Sequence, residues 1–217
     1  RYLAGLLDGT ILGATAITEP EVGSSFSRMQ TRAGRSGGTF IINGMKSLIN
    51  DAAEADLIYV FAATEEGISV FLIEKGTPGL HILRKQDPLG MRSSPVYEFE
   101  LCDCRVPAEN LVGTPGRGLQ AFFTAFNFSR LGNASAALGI ARAALDKTIS
   151  YVKERRVGSS PAASFQGLRW KIAEMDTELK AARLLRDHTA RFADETDAFG
   201  VESSQTKLLC VETANRV

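Results

Sequence analysis

The sequence is poor in the residues that build metal sites and disulfide frameworks. Its 217 residues include two histidines, His81 and His188, and three cysteines, Cys102, Cys104 and Cys210. No cysteine has metal-ligand spacing with a histidine, and an odd number of cysteines indicates reduced thiols in a cytosol-like compartment. Neither histidine lies within a nucleophile motif, so the sequence does not indicate a Ser-His-Asp hydrolase. We predict no metal site.

The chain also lacks an excess of charge of either sign and any long apolar run. Lys plus Arg number 25 and Asp plus Glu number 25, so the formal net charge is zero. Such a balance provides no basic field for nucleic acid or for an acidic membrane surface. No apolar run approaches the roughly 20 residues that span a bilayer, and no secretory signal is recognisable. With 44% hydrophobic residues, we expect a globular protein that binds neither nucleic acid nor membrane.

Both ends of the sequence lie within helical patterns. The first ten residues, RYLAGLLDGT, resemble the tail of a helix. The last eight, CVETANRV, stop inside an amphipathic pattern. We therefore predict that the sequence is a piece of a longer protein.

The first half of the sequence, from about residue 9 to residue 113, has the pattern of a β domain. Short apolar runs alternate there with turn residues, as in ILGATAIT, ADLIYVFAAT and VYEFELCDCRVP. Asn43-Gly44, between two such runs, predicts a β-hairpin. Alternation along a strand predicts that Cys102 and Cys104 face the same side. About seven strands without intervening helices predict a small barrel or sandwich.

The second half has a helical period. After a glycine-rich loop at residues 113–118, the spacing predicts one long helix or two abutting helices over 119–152. A second helix is predicted over 164–195 and a third from about residue 201 to the end. The predicted fold class is therefore α+β: a middle β-barrel domain at 1–113 followed by an incomplete antiparallel helical bundle at 114–217.

The segment TAITEPEVGSS, residues 15–25, is a candidate ligand site. Its apolar strand stops at a Glu-Pro pair, and Gly23 permits unusual backbone angles. Backbone N–H groups near this glycine, with the hydroxyls of Thr18, Ser24 and Ser25, would form a cradle for a polar ligand such as a phosphate. When the segment is considered alone, an ordinary strand-to-turn exit capped by hydroxyls explains it better than a ligand site does.

Six motifs in one order give the segment its context. They are TEPEVGSS, INGMK, TPGL, LGMRSS, VPAENLVG and YVKERR. In this order they resemble the acyl-CoA dehydrogenase family over essentially the whole chain. The resemblance implies FAD-dependent oxidation of an acyl-CoA thioester to the 2,3-enoyl-CoA, with electrons passed to an electron-transferring flavoprotein. It also implies a homodimer or homotetramer, in the cytoplasm or, in a eukaryote, in the mitochondrial matrix.

The resemblance implies two flavin-binding segments in the β domain. The first consists of Thr15, Ala16, Ile17, Thr18, Gly23 and Ser24. Thr18 and the Ile17 backbone match positions at the pyrimidine side of the flavin, whereas Gly23 and Ser24 match positions beside its pyrophosphate. Ser24 also matches a position beside the pantetheine arm of the substrate.

The second implied flavin segment consists of Leu48, Ile49 and Asn50. The sequence departs from the family here, because Leu48 replaces the usual Trp and Asn50 replaces a Thr or Ser. In the first segment, Ser25 also replaces the usual Asp. The structural alternative for Leu48 is an ordinary strand residue.

In the helical half, Asn127 and Arg130 match positions along the acyl-CoA, where Asp is common in place of Asn127. A solvated helix edge is the alternative explanation for Arg130. Arg155 and Gln166 match residues that reach the FAD of a neighbouring subunit, although a basic helix C-terminus would also explain Arg155. The family's Phe-Gly after this arginine is replaced by Gly-Ser at 158–159.

The sequence carries no residue that we expect to be the catalytic base. Abstraction of a proton α to a thioester needs a carboxylate in a dry pocket. The resemblance places that glutamate either beyond the last residue of the chain or at Ser129, and serine cannot act as the base. Glu19 is predicted to be structural. Because Leu48, Asn50 and Gly158 depart from the family, two alternatives stay open: a structural subunit that has lost flavin, and a flavin monooxygenase on the same fold.

Overall fold

The computed structural model of the chain describes residues 1–217, except for the side chain at position 121. The chain divides into two units, Arg1–Ala121 and Phe122–Val217, which we call the β unit and the helical unit. Among the helices so described, none combines the length and the apolar character that crossing a membrane requires.

Before residue 118, the described part of the β unit contains one short α-helix and eight strands. They are α1 (Leu3–Asp8), β1 (Gly13–Ala16), β2 (Arg32–Ser36), β3 (Thr39–Asn50), β4 (Leu57–Thr64), β5 (Gly67–Glu74), β6 (Leu80–Lys85), β7 (Val96–Pro107) and β8 (Leu111–Val112). The longest strands alternate apolar and polar residues, as expected for a sheet with one buried face. β4 is apolar at nearly every position because it lies in the middle of the sheet and is mostly buried.

All eight strands belong to one mixed sheet with two free ends. The order is β6-β7-β3-β2-β4-β5-β8, and β1 lies beside β4 in a parallel pair. The predicted α+β class is confirmed, and the sheet of the predicted barrel-like domain is open, because β6 and β8 do not pair with each other. β8 has two residues and the side chains of β6 are mostly exposed, so neither offers an edge that could close the sheet.

The buried face of this sheet forms the core of the β unit. Phe71 on β5 and Phe99 on β7 are fully buried. The centre of the Phe71 ring lies 4.8 Å from the centre of the Phe40 ring on β3, in a tilted arrangement that aromatic pairs prefer. The core therefore joins strands from both ends of the sheet.

The long pair formed by β3 and β7 contains two bulges. Between Ile42 and Gly44 the partner positions on β7 change from Cys104 to Leu101, so β7 has one extra residue. Between Lys46 and Ile49 the partner positions change from Phe99 to Tyr97, so here β3 has the extra residue. The two ends of the pair, Thr39 opposite Pro107 and Asn50 opposite Val96, are consequently separated by equal lengths of chain.

The first bulge overturns the hairpin that the sequence predicts at Asn43-Gly44. β3 runs through this dipeptide without turning. The Asn43 side chain instead accepts a hydrogen bond from the Asp103 backbone N–H (2.7 Å) and donates one to the Asp103 carboxylate (3.2 Å). Asp103 has a φ of 47°, a left-handed conformation that Asn and Asp tolerate better than most residues. Hairpin turns occur instead between β2 and β3 and between β4 and β5.

The same bulge also overturns the prediction that Cys102 and Cys104 face one side. Cys102 is exposed, whereas Cys104 is fully buried, and burial raises the pKa of the Cys104 thiol to about 11. Thiolates are the reactive form of cysteine. We therefore expect a thiol reagent at neutral pH to label Cys102 much faster than Cys104, as measured by mass spectrometry of peptides. Equal labelling rates in the folded protein would contradict the bulge.

The helical unit consists mainly of three helices. α2 (Gly118–Glu154) is one continuous helix of 37 residues, so the sequence pattern that allowed one or two helices corresponds to one. β9 (Arg156–Val157) and β10 (Ser160–Pro161) then form a small hairpin, and α3 (Gln166–Glu195) and α4 (Gly200–Arg216) follow. The apolar faces of these helices share a core, which includes Ala134, Leu138, Ala141, Leu145, Leu179, Ala182 and Cys210.

Candidate functional site

A tight reversal follows β1, and we call residues 17–25 the Thr18 turn. Within it the Glu19 backbone N–H donates to the Val22 oxygen (3.0 Å), and the Val22 N–H donates to the Glu19 oxygen (3.1 Å). The Val22 side chain is buried and anchors the turn in the β unit, whereas residues 23–25 are exposed. The turn therefore presents a glycine and two serines on a fixed base.

A buried ion pair joins the turn to β3. The Lys46 ammonium on β3 lies 2.9 Å from a Glu19 carboxylate oxygen, and the two side chains are 0% and 2% exposed. The same ammonium donates to the Ile17 backbone oxygen at 3.2 Å. The Glu19 carboxylate also accepts from the backbone N–H groups of Gln30 (2.6 Å) and Thr31 (3.0 Å). Glu19 is thus structural, as predicted.

Burial and hydrogen bonding act on the two charges in opposite directions. Burial lowers the pKa of Lys46 from its ordinary 10.5 to about 8, and Glu19 only partly offsets this effect. Burial alone would raise the pKa of Glu19. The hydrogen bonds from Thr31, Gln30 and Lys46 outweigh that effect, so the pKa of Glu19 lies below its ordinary value. Both groups are therefore charged at neutral pH.

Ser47, which immediately precedes the second predicted segment, is bonded to the Thr18 turn. The backbone N–H of Ser47, on β3, donates to the Thr18 oxygen at 3.0 Å. The Ser47 hydroxyl donates to the Glu98 carboxylate on β7 at 3.0 Å. The structure therefore brings residues 17–18 and 46–47, which are well separated in sequence, to one place.

Leu48 lies at the second bulge in a conformation that is unusual for its residue type. Its φ is 59° and the residue is 60% exposed. A bulky residue at positive φ is a steric outlier, and such strain concentrates at functional sites. The bulge directs Leu48 outward while its neighbours Lys46, Ser47 and Ile49 are all buried.

Asn50 already has a partner in the loop before β7. Its side-chain amide donates to the Ser94 hydroxyl (3.0 Å), which in turn donates to the Asp51 carboxylate (3.3 Å). This short chain of hydrogen bonds holds the LGMRSS loop beside the end of β3. Leu89 and Met91 in that loop are highly exposed.

The remaining predicted flavin residues of the β unit contribute in different ways. Ala16 and Ile49 are buried, so their side chains belong to the core and only their backbones could meet a ligand. Thr15 and Ser24 are exposed, and Thr18 is half-buried. Gly23 does not adopt the left-handed φ that a glycine permits, and a Cβ atom there would meet nothing within 4 Å.

Sequence reasoning missed Lys46. Lysine is almost never fully buried without a partner. The signal that could have revealed it was a lysine inside the β strand of INGMKSLIN, at a position whose alternate neighbours are apolar. A buried lysine requires an acidic partner, and Glu19 in the adjacent turn supplies one.

In the helical unit, α2 brings Asn127 and Arg130 together one turn apart. The Arg130 guanidinium donates to the Asn127 side-chain oxygen and lies 4.7 Å from the centre of the Phe126 ring. Asn127 also accepts from the Ser203 hydroxyl on α4 at 3.5 Å. The guanidinium is therefore held in one orientation. Ser129 on the same helix is exposed.

Arg155 and Gln166 flank the small hairpin between α2 and α3. The Arg155 backbone oxygen accepts from the Ala162 N–H (2.7 Å), and both Arg155 and Gln166 are exposed. Within the part of the chain that the structure describes, the Arg155 guanidinium has no ion pair. By contrast, Arg156 donates to the Ser159 oxygen at 2.7 Å, across the Gly158 turn.

The described residues contain no group of histidine, cysteine or acidic side chains that could hold a metal ion. The polar groups at the Thr18 turn are instead hydroxyls and backbone amides, which suit an organic ligand with hydrogen-bonding edges.

Comparison with known protein families assigns the class. The acyl-CoA dehydrogenase middle domain matches residues 14–104, and the acyl-CoA dehydrogenase C-terminal domain matches residues 116–217. The chain belongs to the acyl-CoA dehydrogenase family, a family of oxidoreductases, which confirms the predicted resemblance.

Individual relatives support this assignment over the full chain. The mitochondrial short-chain specific acyl-CoA dehydrogenase of Rattus norvegicus is 36% identical over 222 residues, which cover 100% of this chain and 54% of that protein. The chain therefore spans about half the length of the curated relatives it matches.

Two solved structures are also similar. Butyryl-CoA dehydrogenase from Megasphaera elsdenii has a TM-score of 0.94 and 35% identity, over 98% of this chain and 57% of that one. A glutaryl-CoA dehydrogenase from Mycobacterium smegmatis in complex with FADH2 has a TM-score of 0.90 and 35% identity, over 98% and 55%.

Proposed function

We propose that the intact protein oxidises a short-chain acyl-CoA thioester to the 2,3-enoyl-CoA with FAD as the hydride acceptor. The observation that carries this proposal is the Thr18 turn, where two segments that are separate in sequence are joined by a buried ion pair. The chain also belongs to a family whose members act on acyl-CoA. The short-chain preference is supported by the relatives named for short-chain and butyryl substrates. We further propose that the electrons pass to an electron-transferring flavoprotein.

The residues at the Thr18 turn fit a flavin. Thr18 is half-buried, and its hydroxyl makes no hydrogen bond to any described residue, so a donor is available beside the turn. The space next to Gly23 is open, which allows a bulky group to approach the backbone closely. When bound, FAD would supply the hydride acceptor, and donors near its pyrimidine edge would favour the reduced form.

The chain's own residues would act by binding and orienting. Thr18 would donate to the flavin, and Ser24 would lie beside the pyrophosphate and the pantetheine arm. Asn127 and Arg130 would lie along the acyl-CoA, with the guanidinium already fixed by its hydrogen bond. The catalytic base would come from a part of the protein outside this chain, because Ser129 cannot remove a proton from carbon.

Arg155 and Gln166 support a proposed homodimer or homotetramer. An exposed arginine without an ion pair among the described residues is suited to pair with phosphate oxygens of a neighbouring subunit's FAD. Sedimentation of the full-length protein is the measurement, and a flavin-loaded monomer would contradict the proposal.

The activity test uses the full-length protein and its visible spectrum. We expect bound flavin, and we expect anaerobic butyryl-CoA to bleach its absorption band with formation of the enoyl product. Absence of flavin after reconstitution with FAD would favour the structural-subunit alternative. Rapid oxygen consumption coupled to substrate hydroxylation would favour the monooxygenase alternative.

Replacement of Thr18 by Val should weaken FAD binding. The substitution preserves the shape of the side chain but removes the hydroxyl, which leaves a flavin acceptor short of one hydrogen bond. The expected cost is about 1–3 kcal/mol, or roughly one to two orders of magnitude in the FAD dissociation constant. Fluorescence titration of the full-length apoprotein measures it.

Ser36→Ala is the matched control for this prediction. Ser36 is an exposed hydroxyl at the end of β2 in the same unit, so its loss should leave FAD binding unchanged. Gly23→Val extends the test, because its side chain would enter open space that we assign to the pyrophosphate. If Thr18→Val and Gly23→Val bind FAD as well as Ser36→Ala does, the Thr18 turn is not the cofactor site.

A further inference from the structure

The ion pair between Lys46 and Glu19, at the Thr18 turn, is almost completely buried. We propose that Lys46 is a positioning residue for the flavin, because its ammonium, held by Glu19, fixes the Ile17 carbonyl and thereby the direction in which Thr18 presents its donors. This inference rests on the proposed function and adds a residue to its site.

The first step of the argument is the geometry of one peptide unit. The Ile17 oxygen and the Thr18 nitrogen belong to the same planar group, and none of the described residues has a cis peptide bond. In a trans peptide the C=O and N–H bonds point in opposite directions. Because Lys46 holds the Ile17 oxygen at 3.2 Å, the Thr18 N–H points away from the ion pair.

The second step is the following peptide unit, which β3 also fixes. The Thr18 oxygen accepts the Ser47 N–H at 3.0 Å, so the carbonyls on both sides of the Thr18 nitrogen and Cα are bonded to β3. The Glu19 carboxylate is fixed in turn by Gln30 and Thr31. Thr18 therefore has little backbone freedom, although its own hydroxyl has no partner among the residues that the structure describes.

The third step concerns the reason for a charged pair at this position. Buried ion pairs can often be replaced by apolar residues without loss of stability, because desolvation offsets the attraction between the charges. Replacement of both charges by uncharged side chains therefore need not destabilise the fold. An apolar side chain of the same length could fill the space, but it could not hold the Ile17 oxygen.

The experiment compares two variants of the full-length protein, Lys46→Met and Glu19→Gln/Lys46→Met. The single variant leaves the Glu19 charge buried without a partner, whereas the double variant removes both charges. We expect the double variant to unfold at a higher temperature than the single variant. We nevertheless expect its FAD dissociation constant to stay at least about tenfold above that of the wild type.

If the double variant regains thermal stability but not FAD affinity, Lys46 positions the flavin site and its role is not purely structural. If FAD affinity recovers together with thermal stability in the double variant, the proposal is overturned. A further readout is the visible circular dichroism of bound FAD at saturation, which should differ from that of the wild type because Thr18 is misaligned. An unchanged spectrum would also overturn it.

Two further proteins complete the design. Arg216→Met/Glu178→Gln removes an exposed ion pair (2.9 Å) in the helical unit and should change neither quantity. If neither Lys46 variant folds, Glu19→Gln alone keeps the lysine and leaves an amide oxygen in place of the carboxylate oxygen that accepts from it. An FAD dissociation constant less than about tenfold above that of the wild type then supports the proposal, and a larger increase overturns it. A wild type that binds no FAD would refute the proposed function itself, which is a separate outcome.

Discussion

Replacement of Lys46 by Met is expected to lower the free energy of unfolding by about 3–5 kcal/mol, since loss of one partner leaves a buried charge uncompensated. The Glu19 carboxylate is 2% exposed, so water cannot replace the lost ammonium without opening the turn. Denaturant unfolding of the apoprotein at neutral pH, where both groups are charged, measures the effect.

The control for this prediction is an ion pair of similar chemistry on the surface of the same sheet. Arg84 and Glu98 are 3.1 Å apart, but the arginine side chain is 64% exposed. Arg84→Met should therefore cost less than about 1 kcal/mol. Equal destabilisation by the two substitutions would show that burial of Lys46 has no special energetic consequence.

Phe71→Ala is expected to lower the free energy of unfolding by about 3–5 kcal/mol through the cavity that it leaves. The Phe71 ring is fully buried and packs against Phe40, so neighbouring strands cannot close the space without moving the whole sheet. The measurement is denaturant unfolding followed by circular dichroism.

Ile82→Ala on β6 provides the comparison, because this apolar side chain is 40% exposed and its truncation creates no closed cavity. We expect it to cost less than about 1 kcal/mol. A Phe71→Ala value as small as the Ile82→Ala value would mean that the core of the β unit is packed differently from the structure described.

Periodicity in the sequence was sufficient to predict the element types, and it failed where the period itself changes. The helices over 166–195 and 200–216 follow apolar spacings closely, and their boundaries differ little from the prediction. The hairpin at Asn43-Gly44 and the shared face of Cys102 and Cys104 were wrong for one reason. A bulge shifts the alternation by one residue, and no residue type marks it reliably.

The turn that we propose as the cofactor site was predictable from the sequence, but the contacts that hold the turn were not. The TEPEVGSS motif identifies the turn, because hydroxyls and a glycine after a strand indicate a polar ligand. The dependence of that turn on Lys46 was not predictable in the same way, since it needs the tertiary contact between the turn and β3. The open barrel likewise depends on the two-residue length of β8, which an apolar pattern does not define.

The paired bulges of β3 and β7 have a consequence for how this sheet could change during evolution. Each strand carries one surplus residue, and the two surpluses cancel over the length of the pair. Deletion of Leu48 alone would invert the alternation at the end of β3, and deletion of Asp103 alone would invert it at the end of β7. Simultaneous loss of both would restore an unbroken ladder of equal length. We therefore expect gaps in alignments of related chains to occur at these two positions together, more often than at either one alone.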